Sequence, residues 1–208
     1  MSYRSRLSDL PGTFFSVTGL TKARAQVALL PRFMEDEREF SAAEAGTLAH
    51  RLLQLVSLKP HTEASVREEL ELFTARGQFT EREADAINTE HVVRFFSSEL
   101  GRRLLASPRI EREKEFDVYI DADKLTDTGS KAPIMLQGVI DCCFIEDGAW
   151  VLVDHKTTHI DKTHTANTVA RRYARQLELY ADALEKLTGL PVKEKYLYLL
   201  SVDEAVKL

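Results

Sequence analysis

The sequence predicts an α/β (α+β) domain in which a mostly helical first half is followed by a sheet covered by a further helix. Three observations lead there. Apolar residues recur at helical spacing from Ser41 onward, the pattern switches to strand-like runs after Pro108, and Asp147-Gly148 sits between two β-branched runs as a hairpin turn.

Residues 1–40 read as an irregular or partly helical lead-in, punctuated by Pro11-Gly12 and Pro31. A helix is expected to start at Ser41, because Ser41 and Glu44 have the S-x-x-E spacing in which each side chain caps the other's backbone N–H. Ala45, Leu48, Ala49, Leu52, Leu53 and Val56 then mark its buried face. Glu63–Arg76 reads as a second helix, and Gly77 separates it from a short third one that Thr80 and Glu83 cap in the same way. Asn88 caps a fourth helix, whose apolar positions Val92, Val93, Phe95, Phe96, Leu100, Leu104 and Leu105 run up to the stop at Pro108. The stretch EKEFDVYIDA alternates like a half-buried strand. IMLQGVIDCCFI and AWVLVDHKT follow as a hairpin, residues 169–187 form a long alanine-rich helix ended by Gly189 and Pro191, and VKEKYLYLLSV closes as a strand.

Composition narrows the function classes. The chain has 208 residues, enough for one large domain with a real core, and 44% of them are hydrophobic and 29% charged. No apolar run approaches the roughly 20 residues of a spanning helix, and the first residues lack the apolar stretch of a secretory signal, so a cytoplasmic protein without a membrane partner is expected. The two cysteines, Cys142 and Cys143, are neighbours in an apolar run; they read as core thiols, and two fall short of the four thiolates of an iron–sulfur cluster. A net charge of -5 argues mildly against nucleic-acid binding by a basic surface alone. Carboxylates gathered at a cation site distort that sum, however.

The hairpin carries the chemistry. If Asp147-Gly148 is a two-residue turn, Glu146 pairs with Ala149 and Asp141 faces Asp154. Directly opposed residues have Cβ atoms about 4.5–5.5 Å apart, a destabilising separation for like charges and worse on apolar strands. A bound Mg²⁺ or Mn²⁺ relieves both costs, since hard divalent ions prefer carboxylate oxygen. Strand periodicity puts Lys156 on the face of Asp154, where it can help position or deprotonate water or stabilise charge growing on a phosphate. The bland alternative is that both acids merely edge a hairpin and that Lys156 pairs with one of them. A longer loop around Glu146 would shift the register by one residue.

These residues resemble a known family. GVIDCCF followed by DHKT resembles the G-x-x-D…D-x-K signature of the RecB-like nucleases of the PD-(D/E)XK superfamily. QLELY at 176–180 resembles that family's Q-x-x-x-Y motif, and GTLAH at 46–50 resembles its upstream helix with a metal-binding histidine. SVTGLTK, FTEREADAI, FFSSELGRRLL and REKEF extend the similarity over almost the whole chain, to the nuclease domain at the C-terminus of AddA-type helicase-nuclease subunits. The resemblance implies a restriction-endonuclease-like core with a central mixed sheet, residues 41–208 as the nuclease domain (41–107 mostly helical, 108–208 the sheet core) and 1–40 as a linker. It implies that His50, Asp141, Asp154 and the backbone carbonyl of His155 hold Mg²⁺ or Mn²⁺, that Lys156 is the catalytic lysine, and that Gln176 and Tyr180 orient the site or the DNA backbone. Glu113, on the neighbouring strand, is a weaker candidate. His155 stands where the family often has tyrosine or another apolar residue, which leaves its carbonyl available.

The residues themselves agree in two places. Arg172, Gln176 and Tyr180 are spaced by four and share a helix face, and Gly46, four before His50, permits close approach to that face. By the same resemblance the function is metal-dependent phosphodiester hydrolysis on DNA, as exonuclease or endonuclease, by the nuclease domain of a helicase-nuclease in double-strand break repair and recombination. Expected partners are single-stranded DNA ends, a parent helicase motor and a second helicase-nuclease subunit. With no G-x-x-x-x-G-K-[ST] phosphate loop, no ATP site is expected, and the chain reads as an excised domain or a natural short relative. The alternatives are a catalytically silent DNA-end or partner-binding module of the same fold and a stand-alone nuclease of the superfamily. Arg171, Arg172 and Arg175 form a basic cluster that reads equally as a phosphate contact or a solvated helix face. His159 and His164 read as loop histidines, and Trp150 as core or lid to the hairpin.

Overall fold

The computed structural model describes residues 14–16, 40–125, 130–158, 160–161 and 164–208. Among them, Ser41 and Glu44 form the expected capping box at the head of α1 (Ala42–Leu55), and Thr80 and Glu83 form the second at α3 (Glu81–Ala86). Between these lies α2 (Glu63–Ala75), whose own box, Thr62 with Ser65, lacks the glutamate that makes the signal readable.

The helix expected from Asn88 to Pro108 is two helices. Asn88 caps α4 (Thr89–Ser97), and Ser98 ends it and caps α5 (Glu99–Leu105). Ser98 Oγ donates to the Phe95 carbonyl at 2.6 Å and accepts from Gly101 N–H at 3.0 Å, satisfying groups from both helix ends. The bend brings Gly101 against the end of α4, where a Cβ would lie 2.0 Å from the Phe95 carbonyl oxygen.

The strands are β1 (Phe14–Ser16), β2 (Ile110–Asp121), β3 (Pro133–Glu146), β4 (Ala149–Lys156), β5 (Val192–Leu199) and β6 (Glu204–Lys207). They form one mixed six-stranded sheet among the described residues. β1 falls in the lead-in read as irregular or partly helical, and β6 follows a turn inside what reads as the end of the chain's last strand. The rest of 1–40 lies outside the described residues. Asp147 and Gly148 both have positive φ (51° and 75°), the conformation of a tight two-residue hairpin turn, and Glu146 pairs with Ala149 as expected.

β2 runs antiparallel along one edge of β3, and the opposite edge is shared. β1 occupies it in parallel at Met135–Gln137, and β4 occupies it antiparallel at Cys142–Glu146. The sheet therefore forks at Gly138–Asp141. β5 extends the sheet in parallel from β4, and β6 closes it.

Apolar alternation along β3 and β4 sorts the core into two layers. Cys142, Phe144, Val151 and Val153 face the helical first half, while Cys143, Trp150 and Leu152 face α6 (Ala166–Thr188). The neighbouring thiols thus point to opposite faces, both buried and free, and burial pushes Cys143 up to about 12. Trp150 is core, its indole N–H donating to Thr188 Oγ1 at 2.9 Å. No helix among the described residues is long and apolar enough to cross a membrane.

Arg103 of α5 ties the helical layer to the sheet through Glu146 of β3 and Glu194 of β5. Arg103 and then Lys193 hold Glu146 down at about 2, and Lys207 with Arg103 does the same for Glu194. Because the folded values lie below the ordinary 4.5, this stabilisation is present above that pH and is lost as the pH falls toward 2. Two outcomes follow for denaturant titrations. Between pH 5 and pH 3 the native chain should lose more stability than the double variant Glu146→Gln, Glu194→Gln. Gly101→Ala should cost about 2 kcal/mol or more, since its contacts are backbone atoms that cannot turn aside.

Candidate active site

Every sheet ladder around Asp141 stops short of it. The β3–β4 register runs from Glu146–Ala149 to Cys142–Val153, and its next step would oppose Asp141 to Asp154. There the strands part. The His155 N–H donates to Asp141 Oδ2 at 2.9 Å, while β4 continues beside β5 as far as Lys156–Leu199. On the other edge, β2 pairs Arg112 with Cys142 and Lys114 with Ile140 and skips Glu113, which has a φ of 49°. A left-handed glutamate inside a strand carries backbone strain, of the kind that clusters at functional sites.

Asp154 is 1% exposed and lies on the α6 face, where Lys156 forms an ion pair with it. Gln176 Nε2 donates to Tyr180 Oη at 2.8 Å and reaches Asp154 Oδ1 at 3.5 Å. Arg172, expected on the same helix face, is exposed together with Arg171 and Arg175, and Arg175 pairs with Glu178. From the opposite layer, α1 brings His50 Nδ1 to 3.4 Å from Asp141 Oδ2. α1 can approach the end of β4 because Gly46 has no Cβ: one would sit 2.2 Å from Thr157 Oγ1. The close approach expected at Gly46 is thus made by Thr157.

Burial drives the electrostatics. Desolvation raises Asp141, and desolvation followed by the charge of Asp141 pushes Asp154 up to about 6. Burial and then Asp141 raise Glu113 as well. Burial works against the Lys156 ammonium, but Asp154 and Asp141 outweigh it and its affinity for the proton is raised. His155 is buried against Phe95 and Tyr198 and held well below the ordinary imidazole range, so its ring is neutral. Gln176 Oε1 and His155 Nε2 are buried with no hydrogen-bond partner among the described residues.

The structure therefore gathers His50, Asp141, Asp154, His155, Lys156, Gln176 and Tyr180 at the fork, with Glu113 beside Asp141. As the side chains stand, no group of three or more His, Cys, Asp or Glu among the described residues is arranged to hold a metal ion. His164 is elsewhere, paired with Asp161, and His159 lies outside the described residues.

A model of the PD-(D/E)XK nuclease superfamily matches residues 22–207. The chain belongs to that superfamily. Among curated PD-(D/E)XK relatives, an ATP-dependent helicase/nuclease subunit from Alkaliphilus metalliredigens is 39% identical over 181 residues, covering 85% of this chain and 15% of that protein. Its namesake from Clostridioides difficile is 37% identical over 194 residues, with the same coverages. The chain thus spans about 15% of the length of these relatives.

Two features of this PD-(D/E)XK chain escape sequence reading. The glycine of G-x-x-D, Gly138, is opposite Phe116, and a Cβ there would come within 2.7 Å of the Phe116 ring and 3.2 Å of the Tyr180 ring. Those rings meet edge to face at 5.6 Å, so Gly138 makes the space in which Tyr180 supports Gln176. Tyr173, three residues before Gln176, lies with its ring 5.0 Å from Lys156 Nζ; its helical spacing from Gln176 and Tyr180 was the available signal. Gly138→Ala should destabilise the fold by about 1–3 kcal/mol through overpacking. In a crystal structure of that variant the Tyr180 ring should be displaced from Phe116; an unmoved ring and unchanged stability would contradict this role.

Proposed function

We propose that residues 41–208 form a divalent-cation-dependent deoxyribonuclease domain that hydrolyses phosphodiester bonds. One observation carries the reading: two buried carboxylates, Asp141 and Asp154, stand at adjoining register positions where the sheet forks, with Lys156 paired to one and His50 near the other. Two carboxylates, an imidazole and the His155 carbonyl are a donor set suited to Mg²⁺ or Mn²⁺. When bound there, such an ion supplies Lewis-acid polarisation of the phosphoryl group and offsets negative charge in the transition state.

The chain's own groups do the rest. Lys156, charged beside Asp154 and Asp141, stabilises charge that grows on the phosphoryl oxygens or holds the attacking water. Gln176 and Tyr180 orient Asp154 from α6. His155 contributes its backbone, since its neutral ring is enclosed by Phe95 and Tyr198. Glu113 is a further acidic group at the site, close enough to Asp141 for each charge to disfavour the other.

The relatives' name supports a wider reading. In it the domain works at single-stranded DNA ends, as exonuclease or endonuclease, within a cytoplasmic helicase-nuclease of double-strand break repair and recombination. A helicase motor in the longer parent and a second helicase-nuclease protein then impose strand choice.

The chain incubated with linear single-stranded DNA and Mn²⁺ should cleave it. Asp154→Ala and Lys156→Ala should each slow cleavage by at least about 100-fold. Tight DNA binding without any cleavage would instead favour a silent DNA-binding module.

A further inference from the structure

Tyr173 belongs to no part of the site described so far, yet it touches the lysine at its centre. β4 and α6 run past one another so that each step along the strand meets a step back along the helix. Asp154 meets Gln176, and two residues on, Lys156 meets Tyr173. The Lys156 ammonium lies 5.0 Å from the ring centroid, inside the roughly 6 Å range over which an aromatic face attracts a cation. Tyr173 is half-buried and packed on the α6-side core, which fixes its ring.

We propose that Tyr173 is a positioning residue that holds the Lys156 ammonium through the face of its ring. Lysine is a point charge on a flexible four-carbon stem, and its ion pair with Asp154 restrains the charge from one side only. The ring supplies the second restraint. Side chain 156 is 19% exposed, so this contact is largely shielded from water and works at a site where a misplaced charge is costly. The ring, and not the hydroxyl, is the required part. The consequence for catalysis rests on the nuclease reading above; the contact itself does not.

Two measurements on the 208-residue chain separate these levels. In nuclear magnetic resonance without DNA, the Lys156 Cε protons should carry a ring-current shift that persists in Tyr173→Phe and disappears in Tyr173→Leu. In cleavage of linear single-stranded DNA with Mn²⁺, Tyr173→Leu should lower kcat roughly tenfold with KM unchanged, and Tyr173→Phe should restore it. Thermal unfolding confirms that each variant is folded. Lys156 resonances that ignore the Leu substitution overturn the proposal, as does a raised KM with intact kcat, which would make Tyr173 a DNA contact. A native chain that cleaves no DNA defeats the nuclease reading, and the resonance measurement then decides the contact alone.

Discussion

Two carboxylates held out of water within reach of each other are the constraint on which the rest depends. Neither Asp141 nor Asp154 is relieved by burial; each is made harder to ionise by it, and Asp154 is made harder still by Asp141. A protein free to optimise stability alone would replace such a pair with apolar residues. Here the surrounding structure is arranged to keep it. His155 N–H, Gln176 and Lys156 each take up part of the charge.

The fork in the sheet is what makes that possible. Were β3 and β4 paired throughout, Asp141 would have a backbone ladder on that edge and no opening beside it. Sharing one edge of β3 between β1 and β4 leaves Gly138–Asp141 in the gap, and the two helical layers supply groups from opposite sides. Glycine at two places sets the clearances: Gly46 lets α1 close on Thr157, and Gly138 lets Phe116 and Tyr180 meet. The spacing in G-x-x-D thus has a packing reason, because the same short segment must admit an aromatic ring and present an acid.

What could be read from the sequence was local. The Asp147-Gly148 turn determines the register of β3 against β4 by itself, and the boxes at Ser41 and Thr80 depend on residues three apart. The missed features depend on distant partners. β1 is three residues long and exists only against β3, and the break at Ser98 hides inside an apolar helical pattern that continues unbroken on both sides. The left-handed backbone of Glu113 leaves no mark in a strand-like run. Motifs name the residues at the centre of the site, whereas Tyr173 and Thr157, which touch them, stand outside the shared motifs.

Anomalous diffraction from crystals soaked in Mn²⁺ tests the central claim most directly. The account expects a single strong site touching both Asp141 and Asp154, with His50 on its flank. Manganese that ignores these two carboxylates, with Lys156 still paired to Asp154, would contradict it.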